Sequence, residues 1–255
     1  MFLTLDRPTV TAMIKSDNPG DIFAEIEKIR QIGTDMFGIQ IDYMKPEYRT
    51  AEVLKKIFAA MGNKPCYVTN YRGGDPNAED DRLAETLLQV TDYGKMLLDL
   101  RADMFAPCKE EFTTDPKAVE KQKEFIRAAH AKGAEVLMST HVFDRFVPKE
   151  EVKRIAHAAY ERGADISKIV TTANSADELQ QNLELITELK RELPIPFLFL
   201  CNGSHCRIHR IYGPMMGVCM YLAAIQKKEW ENQPTLDDVK TAMTLAGYTD
   251  MPWNA

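Results

Sequence analysis

The sequence predicts an α/β protein built as a (β/α)8 barrel, the TIM-barrel architecture, and three observations carry that expectation. Short apolar runs rich in β-branched or aromatic residues recur eight times, most of them followed by a longer charged, amphipathic segment. Gly33, Gly62, Gly94, Gly133 and Gly163 each stand just past a helical pattern and before the next run, where a left-handed residue closes a helix. The length of 255 residues, with 45% hydrophobic content and no Pro/Gly/Ser-rich linker, matches one barrel domain spanning residues 1–255. A doubly wound open sheet is the alternative, but no glycine fingerprint follows the first run as a dinucleotide fold would need.

Taken in order, strands are predicted at 9–14, 36–41, 66–69, 96–100, 135–140, 165–170, 197–200 and 218–222. Helical periodicity fills 22–32, 51–61, 80–93, 118–132, 149–162 and 176–193, with a last helix at 236–246. Start signals agree with that periodicity. Asn18, Asp80, Ser175 and the Asp115-Pro116 pair supply capping side chains or a proline at the first helical position, and Pro148 precedes the fifth helix.

Composition excludes several function classes. Lys and Arg number 32 against 38 Asp and Glu, a formal charge of −6, so no basic footprint for nucleic acid remains. No apolar stretch approaches the roughly 20 residues that span a bilayer, and residues 1–6 carry neither a basic nor an apolar leader pattern. Five cysteines, an odd number in a chain too large to need disulfide staples, suit a reducing compartment. The expectation is a soluble cytoplasmic protein without membrane or nucleic-acid partners.

In such a barrel the reacting groups lie at the carboxyl ends of the strands, a rule that selects Asp42, Arg72, Asp99 with Arg101, His141, Lys168 and the 201–210 segment. Lys168 is the most informative, because it sits inside an apolar strand covered on both faces. Burial there lowers an ammonium pKa, and a neutral amine condenses with a carbonyl to give a Schiff base. A lysine reaching the barrel mouth or paired with a carboxylate is the bland alternative. His141 ends the preceding strand, next to Lys168, where an imidazole can take a proton from the carbon beside an iminium and hand it to a leaving hydroxyl.

These residues resemble the type I 3-dehydroquinate dehydratases, Schiff-base-forming (β/α)8 barrels. Met138-Ser-Thr-His-Val-Phe-Asp144 followed by Gly163-Ala-Asp-Ile-Ser-Lys-Ile169 is similar to the family's S-x-H-x-F and G-A-D-I-x-K-I motifs, in order and at the right separation. The resemblance implies Lys168 as the imine-forming residue and His141 as the general acid/base. Asn202-Gly203 through Arg210 to Gly213 is similar to M-G-x-x-G-x-x-S-R-x-x-G and implies Arg210 as the clamp on a substrate carboxylate, with Gln233 a further contact. Asp42 and Arg72 resemble the ends of the family's E-x-R-x-D and T-x-R strands. The implied ligand is a small cyclic keto carboxylate, the implied assembly a homodimer, and no cofactor or metal is called for because the protonated imine is the electron sink.

The departures bear on recognition. Gly38 and Gln40 replace the Glu and Arg of E-x-R-x-D, removing two groups that would contact ring hydroxyls, and Asp99-Leu-Arg101 replaces D-x-E. The loop glutamate that usually partners the histidine has no evident counterpart after Arg72, and Glu229 lies near the place of a substrate-binding serine. Other readings stay open: a class I aldolase using the same imine, a non-catalytic carboxylate-binding barrel, a metal site in Cys201, His205, Cys206 and His209, or a phosphate cradle at Gly73-Gly74.

Overall fold

The computed structural model describes residues 2–4, 6–73, 78–226 and 232–254. Eight parallel strands, β1 Thr9–Ile14, β2 Met36–Gln40, β3 Cys66–Thr69, β4 Met96–Arg101, β5 Glu135–His141, β6 Ile166–Thr172, β7 Phe197–Asn202 and β8 Met220–Ala224, form one sheet in the order β7-β6-β5-β4-β3-β2-β1-β8. The seam between β7 and β8 is bridged where the Cys219 amide donates to the Phe197 carbonyl at 2.9 Å. The nearly closed (β/α)8 barrel expected from the βα rhythm is therefore present.

Helices α1 Pro19–Ile32, α2 Ala51–Met61, α3 Asp80–Val90, α4 Pro116–Ala131, α5 Lys149–Glu161, α6 Ala176–Glu192, α7 Cys206–Met216 and α8 Leu236–Leu245 cover the outside. Asn18, Asp115 and Ser175 cap α1, α4 and α6, each side chain accepting from the amide three residues on, as their chemistry predicts. Asp80 does not cap α3; Glu79 holds that position, and the Asp80 carboxylate turns to Arg72 instead. Helix α7 is not among the predicted helices; Gly213 and Pro214, residues that ordinarily end a helix, lie inside its last turns. Gly213 in fact lets the helix approach Ile186 and Val218, since a Cβ there would stand 3.3 Å from Ile186 Cδ1.

The strands differ from expectation mostly at one end. β4 to β7 run one to two residues further toward the carboxyl end than the apolar pattern, through Arg101, His141, Thr172 and Asn202, and β8 is displaced the same way. β2 is the exception, giving way to a 3-10 turn at Ile41–Tyr43. The apolar signal fades where the barrel interior becomes polar, and that polar end is the mouth. Strand alternation sets which residues reach it: the inward series runs Met13, Lys15; Gln40, Asp42; Tyr67, Thr69, Tyr71; Arg101; His141; Lys168, Val170; Leu200, Asn202; Leu222. Among the described residues no helix is long and apolar enough to cross a membrane.

Candidate active site

The inward series encloses a cavity of about 340 Å³ at the carboxyl ends of the strands, and Lys168 lies at its base. The lysine is 5% exposed, yet it is not a bare buried amine. Its Nζ donates to Tyr67 Oη at 2.8 Å, to Tyr71 Oη at 2.9 Å and to Asp99 Oδ2 at 3.0 Å, so all three donors are engaged. Both phenols in turn donate to the same Asp99 oxygen, and Ser139 donates to the other. Burial opposes a charge on Asp99, but Lys168, His141 and these donors outweigh it and hold the carboxyl below its ordinary range. Burial, reinforced by the Asp99 charge, pushes both phenols well up, so they remain neutral donors at physiological pH.

Ser139 and Lys168 are register partners on β5 and β6, and His141 stands two residues nearer the mouth opposite Val170. The histidine and the lysine therefore share one cavity, as the sequence predicts. His141 Nδ1 lies 2.9 Å from Glu111 Oε2, which also accepts the His141 backbone amide at 3.2 Å. An ionised carboxylate only accepts, so Nδ1 carries the proton and Nε2 keeps its lone pair. Burial and the Lys168 charge lower the imidazole pKa, while Glu111 raises it in part. For Glu111 itself burial opposes ionisation, but His141 and Arg101 prevail and its pKa falls below the usual carboxylate value.

Glu111 is the histidine's carboxylate partner that no sequence pattern revealed. It comes from the loop between β4 and α4, not from the loop after β3, and it sits at φ 48°, a left-handed conformation disfavoured for a residue with a Cβ. The loop is held in several places. The Gln122 side-chain amide donates to the Ala102 and Met104 carbonyls, and the Arg162 guanidinium donates to the Ala102 and Thr113 carbonyls and to Gln122. Asp103, fully buried, accepts from Arg72 Nη1 at 2.9 Å, lies 3.2 Å from Arg101 Nε, and accepts the Cys108 amide. Arg101 then meets Glu111 Oε1 at 2.9 Å. A chain of alternating charge thus runs from Asp80 through Arg72, Asp103, Arg101 and Glu111 to His141.

This network corrects the reading of Arg72. The strand period turns Tyr67, Thr69 and Tyr71 inward, so Arg72 faces outward and is spent on Asp80 and Asp103; Tyr71 takes the cavity position instead. We expect Asp103→Asn to lower stability by about 3 kcal/mol or more, because two guanidinium groups lose a buried counter-charge. A urea midpoint unchanged at constant slope would contradict this.

The remaining candidates line the cavity. Arg210, mostly buried on α7, donates from Nε to the Cys201 carbonyl and from Nη2 to Asn202 Oδ1, both at 2.9 Å. Gln233 and Asn232 lie beside it, and Gln40 and Asp42 close the β2 side. Asp42 accepts from Thr69 Oγ1 at 3.1 Å, and burial raises its pKa. Arg101 faces the cavity as expected, yet its charge is shared with Asp103 and Glu111. Gly74 and Glu229 fall outside the described residues. The 201–209 segment does not assemble donors for an ion: His209 is fully buried edge-on to Phe199, its pKa pushed down to about 3 by burial and Arg210, while His205 pairs with Ser204. Among the described residues no group of three or more His, Cys, Asp or Glu could hold a metal ion.

Fold and cavity together define a (β/α)8 enzyme with its polar site at the carboxyl ends of the strands. The chain belongs to the type I 3-dehydroquinase family, whose sequence profile matches residues 10–250, and so to the carbon–oxygen lyases. It is 23% identical over 239 residues to the 3-dehydroquinate dehydratase of Lactiplantibacillus plantarum, covering 92% of this chain and 90% of that one. A second such enzyme, from Alkaliphilus oremlandii, is 31% identical over 119 residues, 46% of this chain and 47% of its own. The fold is similar to that of type I 3-dehydroquinate dehydratase from Clostridium difficile, solved with covalently modified comenic acid, at a TM-score of 0.81 and 20% identity over 96% of this chain and 94% of that one. The Geobacillus kaustophilus 3-dehydroquinate dehydratase gives a TM-score of 0.82 at 19% identity over 97% and 95%.

Proposed function

We propose that the protein dehydrates 3-dehydroquinate, or a close cyclic 3-keto carboxylate, to the conjugated enone acid through an imine on Lys168. The observation that carries this reading is Lys168 at the base of the cavity beside a tautomerically fixed His141, with Arg210 at the rim. After loss of a proton, Nζ adds to the ketone and the carbinolamine loses water to form an iminium. The iminium acidifies the adjacent carbon, and His141 Nε2 takes that proton, leaving an enamine. The enamine expels the β-hydroxyl, protonated by the imidazolium as it leaves. Hydrolysis of the conjugated iminium frees Lys168 and the product, so one water is released overall. Asp99, Tyr67 and Tyr71 hold Nζ at the base of the cavity, and the Asp99 carboxylate is the acceptor for the proton it must shed.

Purified protein incubated with 3-dehydroquinate should develop the ultraviolet absorbance of a conjugated enone acid. Release of a shorter fragment would favour the aldolase alternative, and unchanged ketone with saturable binding would favour the non-catalytic one. Arg210 is assigned to the substrate carboxylate through paired guanidinium bonds, so Arg210→Lys should raise KM about tenfold despite keeping the charge. Unaltered steady-state constants in that variant would remove Arg210 from the site. Since the protonated imine is the electron sink, turnover should be unchanged after exhaustive chelation, whereas activity lost to chelation and restored by zinc would reject the metal-free route. The resemblance further implies a homodimer in the cytoplasm, which light scattering and cell fractionation test.

A further inference from the structure

The cavity wall is divided by chemistry. On β2 to β5 the inward residues nearest the mouth are polar or charged; on β6, β7, β8 and β1 the lining carries Val170, Leu200, Leu222 and Met13, with Asn202 and Lys15 one inward position nearer the mouth on β7 and just after β1. The apolar arc ends, where β1 meets β2, at one unusual pair. Met13 and Gly38 are register partners on β1 and β2, and a Cβ on Gly38 would stand 2.2 Å from Met13 Sδ and 3.1 Å from its Cε. The thioether thus lies across Gly38, and one side chain fills the space of two. That stretch of wall offers a ligand neither donor nor acceptor. A ring hydroxyl facing it would lose its water without replacement. One inward position nearer the mouth, Gln40 Oε1 is a buried acceptor with no hydrogen-bond partner among the described residues, a place for a single hydroxyl donor.

We propose that Met13 and Gly38 act as one specificity unit, selecting a cyclic 3-keto carboxylate that presents one ring hydroxyl to Gln40 and a C–H edge to Met13, a mono-deoxy relative of 3-dehydroquinate. The inference rests on the imine reading above and narrows its substrate class. The test compares kcat/KM for 3-dehydroquinate with its 4-deoxy and 5-deoxy analogues, each also trapped on the enzyme with borohydride. At least one deoxy analogue should exceed 3-dehydroquinate, and the preference should reach about tenfold, the scale of one unmatched buried polar contact. Met13→Ala, which introduces no clash, should bring that preference toward unity. The pair Met13→Ala with Gly38→Glu should reverse it, with thermal melting confirming that each variant is folded. If both analogues fall below 3-dehydroquinate, or if folded Met13→Ala leaves the preference unaltered, the Met13–Gly38 assignment is overturned while adducts on Lys168 keep the imine reading intact. Failure of all three compounds to turn over or to form an adduct overturns the imine reading itself.

Discussion

Replacing Lys168 by alanine is expected to lower turnover by a factor on the order of 10⁴ or more, the loss typical of removing a covalent nucleophile. Borohydride added with a keto acid substrate should give the wild-type protein a stable mass increase that maps to the peptide containing Lys168, and should give the variant none. The substitution also strands Asp99, which is fully buried and loses its ammonium partner at 3.0 Å. The carboxyl is then expected to take up a proton, since Lys168 is the strongest of the influences holding its pKa down against burial. The variant's stability loss should therefore be smaller at acidic than at neutral pH, relative to wild type. Substantial residual activity, or an adduct on another lysine, would mean that Nζ of Lys168 is not the reacting atom.

His141→Ala should slow the proton-transfer steps by about 10²–10⁴-fold while leaving Lys168 able to trap substrate, so that imine forms and is not processed. The pH profile separates the role of the histidine from that of its partner. As a base His141 must be neutral, so kcat/KM falls as pH drops through its folded pKa, which burial and Lys168 place below the ordinary value. Glu111 is the opposing influence, raising that pKa. Glu111→Gln keeps an acceptor for Nδ1 but removes the charge, and the acid limb should move to still lower pH. The plateau should fall as well, because the imidazolium formed during proton transfer loses its counter-charge. A Glu111 that only braced the loop would lower the folded fraction without moving the limb. A Glu111→Gln profile superimposable on wild type after scaling would reject the positioning role.

The two outcomes at β3 show how far pattern reading reaches. Cys66 and Val68 pack outward and Tyr67 and Thr69 inward, and extending that period of two by one step places Tyr71 in the cavity and Arg72 outside it. The period of two is present in the sequence, whereas the strand-end rule and the likeness to a T-x-R strand point to Arg72 without regard to which face it takes. At β5 and β6 pattern and chemistry agree, and His141 and Lys168 meet as expected. Glu111 is a different case. It lies in a loop with no periodic signal, 30 residues from His141, and nothing local marks Cys108-Lys-Glu-Glu-Phe112 as part of a site.

The barrel follows from local physics: eight apolar runs of period two, helices of period 3.6 and glycines that end them act over a few residues each, and βα units of one handedness close in essentially one way. The chemical identities of Lys168 and His141, and their places near the ends of adjacent strands, come from the same one-dimensional record. The surroundings of the amine do not. Pairing of Lys168 with a carboxylate is one of the readings the sequence leaves open; the closed barrel makes that carboxylate Asp99, which β4 supplies 69 residues away, and adds two phenols from in and just after β3. The histidine's partner likewise arrives on a loop held by Arg162, Gln122 and Asp103, contacts made between side chains distant in sequence. Such pairings depend on which long side chains meet once the barrel has closed, and no local propensity encodes them.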